Sequence, residues 1–295
     1  MKNFKLTIII TTFDSSSVIT SCLEKIDFQK YKVVVVDNNS KDNTVLLIRQ
    51  NFPLAEIIVN QKNIGYGRAN NIALRNINTD YALILNPDAF IFPVDIEKII
   101  NDMEQKQEIA LAGPLLLNYY PYQEQDAQKE LAVVKNNTIK INVDFISVKY
   151  IIGAIMFLKM SIFHKIGFFD EKIFLYYEDD EISHRTIKSG YKIAIFPEIF
   201  GYHIGSASSG KNLRSLYKRF WHRALSKFYW KEKQKGRGKA LISALKMSFS
   251  FFIRAFFYAI LANKTKSIEN FASFVGTLAY VAKFTAFDKN DNPRG

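Results

Sequence analysis

The sequence predicts an α/β fold, a largely parallel sheet with helices on both faces. In the first hundred residues, short apolar runs alternate with stretches of helical spacing, separated by polar turns. The chain has 295 residues, 48% of them hydrophobic, enough for one large core or for one domain with a smaller attached element. Its 25 Phe and 15 Tyr argue against disorder, and its single cysteine, Cys22, cannot build a disulfide framework within the chain.

LTIII, Leu6 to Ile10, is the first strand. Lys2 and Lys5 precede it as in a signal peptide. Thr11, Thr12 and Asp14 then interrupt the apolar run and no small-residue cleavage site follows, so a buried strand in a cytosolic protein is expected. A helix follows near Ser17 to Phe28. YKVVVVD is the second strand, with NNSKDNT as its turn and VLLIRQ as its helix. AEIIVN is the third, leading through a glycine-rich turn into RANNIALRN. YALILNPD is the fourth, followed by a helix from Val94 to Glu104. LAGPLLLNYY and NNTIKINVDFISVKYIIGAIMFLK contain further strands. MSIFHKI is a short helix ended by Gly167, and a helix starting near Glu178 stops at Gly190, since glycine suits a helix C-terminus. YKIAIFP is a strand closed by Pro197, and GYHIGSASSGK is a glycine-serine loop.

The C-terminal part changes character. Net charge is +12, and Gly210 to Lys239 holds eleven Lys or Arg against one acid, Glu232. Such a patch suits nucleic acid, anionic lipid or a phosphorylated substrate. A solvated helix face explains isolated lysines better than this imbalance. ALISALKMSFSFFIRAFFYAILA is long enough to span a membrane but carries Lys246 and Arg254. Charges near the middle of a spanning helix are costly, whereas an interfacial helix tolerates them by snorkelling. Leu245, Phe249, Phe252, Phe256 and Ile260 mark one helical face, and a core helix or an oligomer contact competes with the membrane for it.

In open α/β sheets, ligands bind at the carboxyl ends of the strands. That rule selects TTFD, DNNS, NIGYGRANN and NPD, which should face one crevice. GxGxxG does not follow the first strand, which argues against a nicotinamide enzyme. Asp88 ends a strand after the restraining Pro87 and either binds a divalent ion or caps the next helix. Asp37 either accepts the imino proton of a uracil or thymine, binds ribose, or caps its turn. Thr11 and Asp14 are candidates for the same pocket. Asn63, Gly65 and Gly67 allow close approach of a nucleotide or simply make the turn. Arg68 could meet a diphosphate, and Asn70 either joins the site or caps its helix.

LYYEDDEISHR places four acids together: Glu178, Asp179, Asp180 and Glu181. At a helix start their charge meets the positive end of the dipole. Glu178 and Glu181 share a helical side while Asp179 and Asp180 point elsewhere, so the four cannot share one role. One is the candidate base, with Asp179 and Asp180 unranked on these grounds alone. His203 is a candidate metal or phosphate ligand, and Gly205, Ser206 and Ser208 suit an anion. His164, His184 and His222 lack zinc spacing, and neither HExxH nor GxSxG occurs.

Together, TTFDSSSVITSCLEKI, VVVVDNNSKDNT, KNIGYGRANNIAL, YALILNPDAF, GAIMFLKMSIFHKIGFFDEKIFLYYEDDEISHRTIKSGYKI and YHIGSAS resemble family 2 glycosyltransferases of the bacterial rhamnosyltransferase-like branch. The resemblance covers most of Leu6 to Ser208. It implies a GT-A nucleotide-sugar-binding and catalytic domain at residues 1–210, with 211–295 as a basic, aromatic-rich helical extension. It implies inverting transfer of a sugar, with rhamnose the one this branch favours, from a dTDP- or UDP-linked donor to an undecaprenyl-diphosphate-linked saccharide in cell-envelope polysaccharide synthesis. Asp179 would be the base, supported by Glu178 and Glu181, where Glu181 stands in place of the usual aspartate. Asp88 and His203 would hold Mg2+ or Mn2+, with NPD replacing the usual Asp-x-Asp. Asp37 would read the base, and Asn63, Gly65, Gly67 and Asn70 would meet the donor. A nucleotidyltransferase, or a non-catalytic nucleotide-sugar or nucleic-acid binding protein, is the competing class, although nucleic acid is not the expected partner. The expected location is the cytosolic face of the bacterial inner membrane. Lys218, Arg219, Arg223 and Lys227 would meet anionic headgroups or an acceptor diphosphate, and a homodimer through the C-terminal helices is the alternative.

Overall fold

A computed structural model describes residues 4–118, 144–205 and 212–295. The chain opens with β1 (Leu6–Thr12), α1 (Ile19–Leu23), β2 (Lys32–Asp37), α2 (Thr44–Asn51), β3 (Glu56–Val59), α3 (Tyr66–Leu74) and β4 (Tyr81–Leu85). It continues with β5 (Ala89–Ile91), α4 (Pro93–Gln105), β6 (Ile109–Asn118), β7 (Ile146–Ser147), β8 (Ile155–Lys159) and α5 (Met160–Ile166). Then come α6 (Glu178–Lys188), β9 (Lys192–His203) and three long helices, α7 (Leu213–Lys235), α8 (Arg237–Ile260) and α9 (Lys264–Val281).

The strands form one sheet in the order β3-β2-β1-β4-β8-β6-β9-β5, with β7 beside β9. The first four in that order pair in parallel. Beyond them the sheet becomes mixed: β6 pairs in parallel with β9, β8 runs antiparallel to both β4 and β6, and β5 and β7 run antiparallel to β9. Every residue of β1, β4 and β8 is buried, because helices cover both faces. Two apolar clusters result, one on each side of the sheet. Ile8 and Ile10 enter one and Ile9 the other, as the two-residue period of a strand dictates.

The antiparallel β8 has a consequence for function. Its start, not its end, lies beside the carboxyl end of β4, with Ile155 opposite Leu85. The backbone N–H of Asn86 donates to Ala154 O at 2.9 Å, so Gly153 and Ala154 reach the edge where β1 and β4 finish.

Several boundaries differ from the sequence expectation. The first helix is a single short element, Ile19–Leu23, rather than a run to Phe28. Pro197 does not close β9. The strand continues to His203, and its register against β6 slips between Pro114–Phe196 and Leu115–Phe200. That irregularity accommodates a residue without a ladder donor. The expected strand residues 136–143 lie outside the described residues, as do Ser206 and Ser208.

Helices α7, α8 and α9 share a third core of Trp221, Leu225, Phe228, Ala240, Ala244, Ala272 and Tyr280, against which Phe174 also packs. Small residues permit the close approach. A Cβ added at Gly276 would lie 2.3 Å from Trp221 O. The buried side of α8 is Ala240, Ala244, Ser248 and Ala255, while Phe249, Phe252 and Phe256 are 67%, 52% and 65% exposed. The apolar face marked in the sequence therefore points outward. Among the described residues, α8 alone is long and apolar enough to cross a membrane.

Candidate active site

The carboxyl ends of β1, β2 and β4, the start of β8, the loop before α6 and the first turns of α7 surround a cavity of about 570 Å3. Thr11, Asn38, Asn63, Gly65 and Asn86 line its sheet side, and Gly153, Tyr176, Glu178 and Asp179 line its middle. Asn212, Arg214, Ser215, Lys218, Arg219 and His222 line the helical side.

The acidic stretch is positioned by unusual backbone. Tyr176 and Tyr177 both have positive φ, at 66° and 69°. Non-glycine residues seldom adopt this conformation, so the surrounding packing must hold it. Tyr177 is the N-cap of α6, and the turn delivers Glu178 and Asp179 into the cavity at the first helical positions. Asp179 Oδ2 accepts from Gly153 N at 3.4 Å, and its Oδ1 accepts from Asp180 N at 3.0 Å. Burial, then the neighbouring Asp180 charge, raise its pKa above the ordinary carboxylate value. Glu178 is more enclosed. Its Oε2 is buried without a hydrogen-bond partner, and burial followed by the charges of Asp179 and Asp180 pushes its pKa well up.

The other two acids of the quartet do not line the cavity. Asp180 is raised by burial alone. Glu181 Oε1 accepts from Lys233 Nζ at 2.7 Å, and its Oε2 accepts from Arg185 Nη2 at 2.8 Å. It therefore ties α6 to α7 instead of supporting a base.

On the sheet side, Asp88 is 5% exposed and its Oδ1 lies 3.2 Å from His203 Nε2. Strand register produces the meeting, since Ala89 opposes His203 and Ile204 N donates to Asp88 O at 3.0 Å. Asn86 Nδ2 lies 3.3 Å from the same imidazole nitrogen. The Tyr66 hydroxyl stands 2.9 Å from Asn86 Oδ1 and 2.7 Å from Gly153 O, and donates its one proton to either. Burial, then the Glu178 charge, hold that phenol above its ordinary pKa. A polar chain thus joins Asp88 to the backbone that holds Asp179. No group of three or more His, Cys, Asp or Glu among the described residues forms a closed metal site. Asp88 and His203 supply an oxygen and a nitrogen donor side by side. That fits a divalent ion bound by few protein ligands and completed by substrate phosphates.

The donor motif divides into lining and supporting residues. Asn63 Oδ1 accepts from Gly65 N at 3.0 Å, and Gly65 has φ 89° with Phe174 O only 2.5 Å from where a Cβ would sit. Gly67 does not line the cavity. A Cβ there would meet Phe169 Cβ at 2.9 Å, so its smallness serves helix packing. Asn70, fully buried, accepts from Thr11 Oγ1 at 3.0 Å and donates to Tyr66 O at 3.1 Å, which fixes α3 against β1. Asp37 is also fully buried and accepts from Thr12 Oγ1, Ser40 N and Ser40 Oγ. Those donors make it the organiser of its turn, and the adjacent Asn38 faces the cavity instead. Asp14 accepts from Lys41 N at 2.7 Å and stays outside the lining. Arg68 is diverted entirely. It donates to Glu171 O, pairs with Asp291 at 2.7 Å and lies 3.6 Å from the Phe287 ring, so it is not a diphosphate ligand in this arrangement.

Sequence reasoning missed Tyr66, Asn38, Gly153 and Arg214 as lining residues. Tyr66 and Asn38 sit inside motifs already marked, where their strand-end position was the available signal. Gly153 and Arg214 reach the site through tertiary packing, which leaves no local signal.

The chain belongs to glycosyl transferase family 2, whose model matches residues 7–167. Among curated relatives it is similar to the N-acetylglucosaminyl-diphospho-decaprenol L-rhamnosyltransferase of Mycobacterium tuberculosis. The two are 22% identical over 214 residues, covering 61% of this chain and 68% of the relative. It is also 25% identical to the rhamnosyltransferase WbbL of Escherichia coli over 238 residues, covering 73% of this chain and 88% of that one. Among solved structures, the mannosyltransferase PcManGT of Pyrobaculum calidifontis in complex with GDP-Man and Mn2+ superposes with a TM-score of 0.53 at 15% identity, covering 95% of this chain and 88% of that one. That likeness shows the GT-A fold. The family membership sets aside a nucleotidyltransferase.

Proposed function

We propose that the protein transfers a sugar from a nucleotide-sugar donor to a saccharide acceptor linked through diphosphate to a prenyl lipid, with inversion at the anomeric carbon. The observation that carries this reading is Asp179, a partly buried carboxylate that lines the cavity and accepts from Gly153 N–H. The similarity to rhamnosyltransferases supports rhamnose as the first donor sugar to test, and the decaprenyl-diphosphate acceptor named for the mycobacterial relative supports the acceptor class.

The donor nucleotide would lie against Thr11, Asn38, Asn63 and Gly65, at the strand ends where the fold family places nucleotides. Asp88 and His203 would hold Mg2+ or Mn2+, which when bound offsets negative charge on the donor diphosphate. Asp179 takes the proton from an acceptor hydroxyl as that oxygen forms its bond to the anomeric carbon. The bond from that carbon to the diphosphate oxygen breaks, and its electron pair leaves with the nucleoside diphosphate. The raised pKa of Asp179 improves it as a base. In its neighbour Glu178, burial and then the Asp179 charge favour the protonated form.

The test is incubation of the full chain with a panel of dTDP-, UDP- and GDP-sugars and a prenyl-diphosphate-linked N-acetylhexosamine, with and without Mg2+ or Mn2+. A new glycoside seen by mass spectrometry with one donor, lost on chelation, is the expected result. No transfer with any donor would reject the reading.

A further inference from the structure

Eight of the eleven cations of the basic stretch lie on α7, and their surroundings differ along it. Near its far end they are used within the protein. Lys233 pairs with Asp170 and Glu181 at 2.8 and 2.7 Å, and Lys231 donates to Ser243. Near its start, Arg214, Lys218 and Arg219 all line the cavity, and the first two, four residues apart, share a helical face. Among the described residues, no ion pair engages any of these three. Arg219 Nε is buried without a hydrogen-bond partner. The opposite wall is built of uncharged hydroxyl, carboxamide and glycine groups, so positive charge is concentrated on the helical side alone.

A second observation gives the direction in which a ligand would leave. From Tyr217, in the same turns of α7, ring contacts pass to Phe271 (6.4 Å), then Phe274 (6.5 Å), then Phe252 on α8 (5.4 Å). Phe271 and Phe252 are 49% and 52% exposed, and Phe252 belongs to the outward apolar face of α8. Along the surface, the order is therefore carboxylate, cations, aromatic path, apolar face. A lipid-linked saccharide has the matching order of sugar hydroxyl, diphosphate, hydrocarbon.

We propose that Arg214, Lys218 and Arg219 form an anion subsite for the diphosphate of the prenyl-linked acceptor, separate from the donor diphosphate. This rests on the sugar-transfer reading for its biological ligand but not for its measurement. The donor phosphates would approach from the strand ends, where Asn86 and Pro87 line the cavity next to Asp88, whereas the three cations line it from α7. Arg and Lys are the residues that bind phosphate by charge-assisted hydrogen bonds.

The experiment is calorimetric titration of the full chain with geranyl diphosphate, in the presence of saturating dTDP or UDP. Geraniol and inorganic pyrophosphate serve as the lipid-only and anion-only probes. Wild type should bind geranyl diphosphate with nucleotide already in place. Arg214→Gln and Lys218→Gln should each weaken that binding about tenfold, the scale of one charged hydrogen bond. Their affinity for the nucleoside diphosphate should not change. The Arg214→Gln/Lys218→Gln pair avoids the more enclosed Arg219, and its melting temperature checks the fold. Three results would overturn the proposal. They are competition between geranyl diphosphate and nucleotide for one site, a parallel loss of nucleotide affinity in the variants, or unchanged geranyl diphosphate binding. Intact prenyl-diphosphate binding in a protein that transfers no sugar would sink the functional reading and leave this subsite standing.

Discussion

Asp179 and Glu178 are adjacent in sequence yet differ in environment, and the difference underlies the roles proposed for them. Asp179 accepts two backbone N–H bonds, whereas Glu178 Oε2 has none. Asp179→Asn should keep the fold and nucleotide binding but lower kcat about a hundredfold or more, the usual contribution of a general base. Asp180→Asn, outside the cavity lining, should retain most activity, and steady-state kinetics on the two variants checks the ranking. The wild-type rate should fall as pH drops through the raised pKa of Asp179, because protonation removes the base. That acid limb should lie above the ordinary aspartate value of 3.8. Glu178 makes a separate prediction about stability. A folded-state pKa above the unfolded value favours folding below the ordinary 4.5 and loses that contribution as pH rises through the raised value. Glu178→Gln is neutral throughout, so relative to wild type its melting temperature should gain as pH rises from 4.5 toward neutrality. Parallel melting curves across that range would contradict a proton-bearing Glu178.

At the scale of elements, α6 is fixed to α7 by the buried Glu181, shared between Arg185 and Lys233. Glu181→Gln should cost about 1–3 kcal/mol of stability by leaving two cations poorly matched, with kcat much less affected than in Asp179→Asn. Chemical denaturation alongside kinetics separates the two effects. Gly65→Ala should damage the donor loop, since φ 89° is strained for alanine and Phe174 O blocks the Cβ. Nucleotide affinity and melting temperature should both fall. Much of this architecture was legible in the sequence. The runs around Ile8, Val34 and Leu83 gave β1, β2 and β4 because a doubly covered strand must be apolar throughout. The strand-end rule then brought Thr11, Asn63 and Asn86 to one place. What escaped depended on contacts distant along the chain. Arg68 looked available for a phosphate until Asp291 and Phe287 returned to cover it, 223 residues from the arginine in the case of Asp291. Asp37 ends its strand as expected, but the hydroxyls of Thr12 and Ser40 occupy it, and neither partner is marked by periodicity.

At the scale of the whole molecule, α7 both lines the candidate cavity and packs against α8, so the helical extension contributes to the cavity wall. Exposed Lys239, Lys246, Arg254, Lys264 and Lys266 accompany that face. Each cation near an anionic leaflet contributes about 1 kcal/mol, and the aromatic side chains add a contribution that salt does not screen. The full chain should float with anionic vesicles, and a Phe249→Ser/Phe252→Ser/Phe256→Ser variant should not, while remaining folded and active on a short-chain acceptor. A concentration-dependent dimer without flotation would assign the face to a second copy of the chain. The central claim, single displacement at Asp179, is tested most directly by the anomeric configuration of the product. Transfer from a donor of known configuration, followed by NMR of the isolated glycoside, should show complete inversion at the transferred carbon. Retention of the donor configuration would contradict the account.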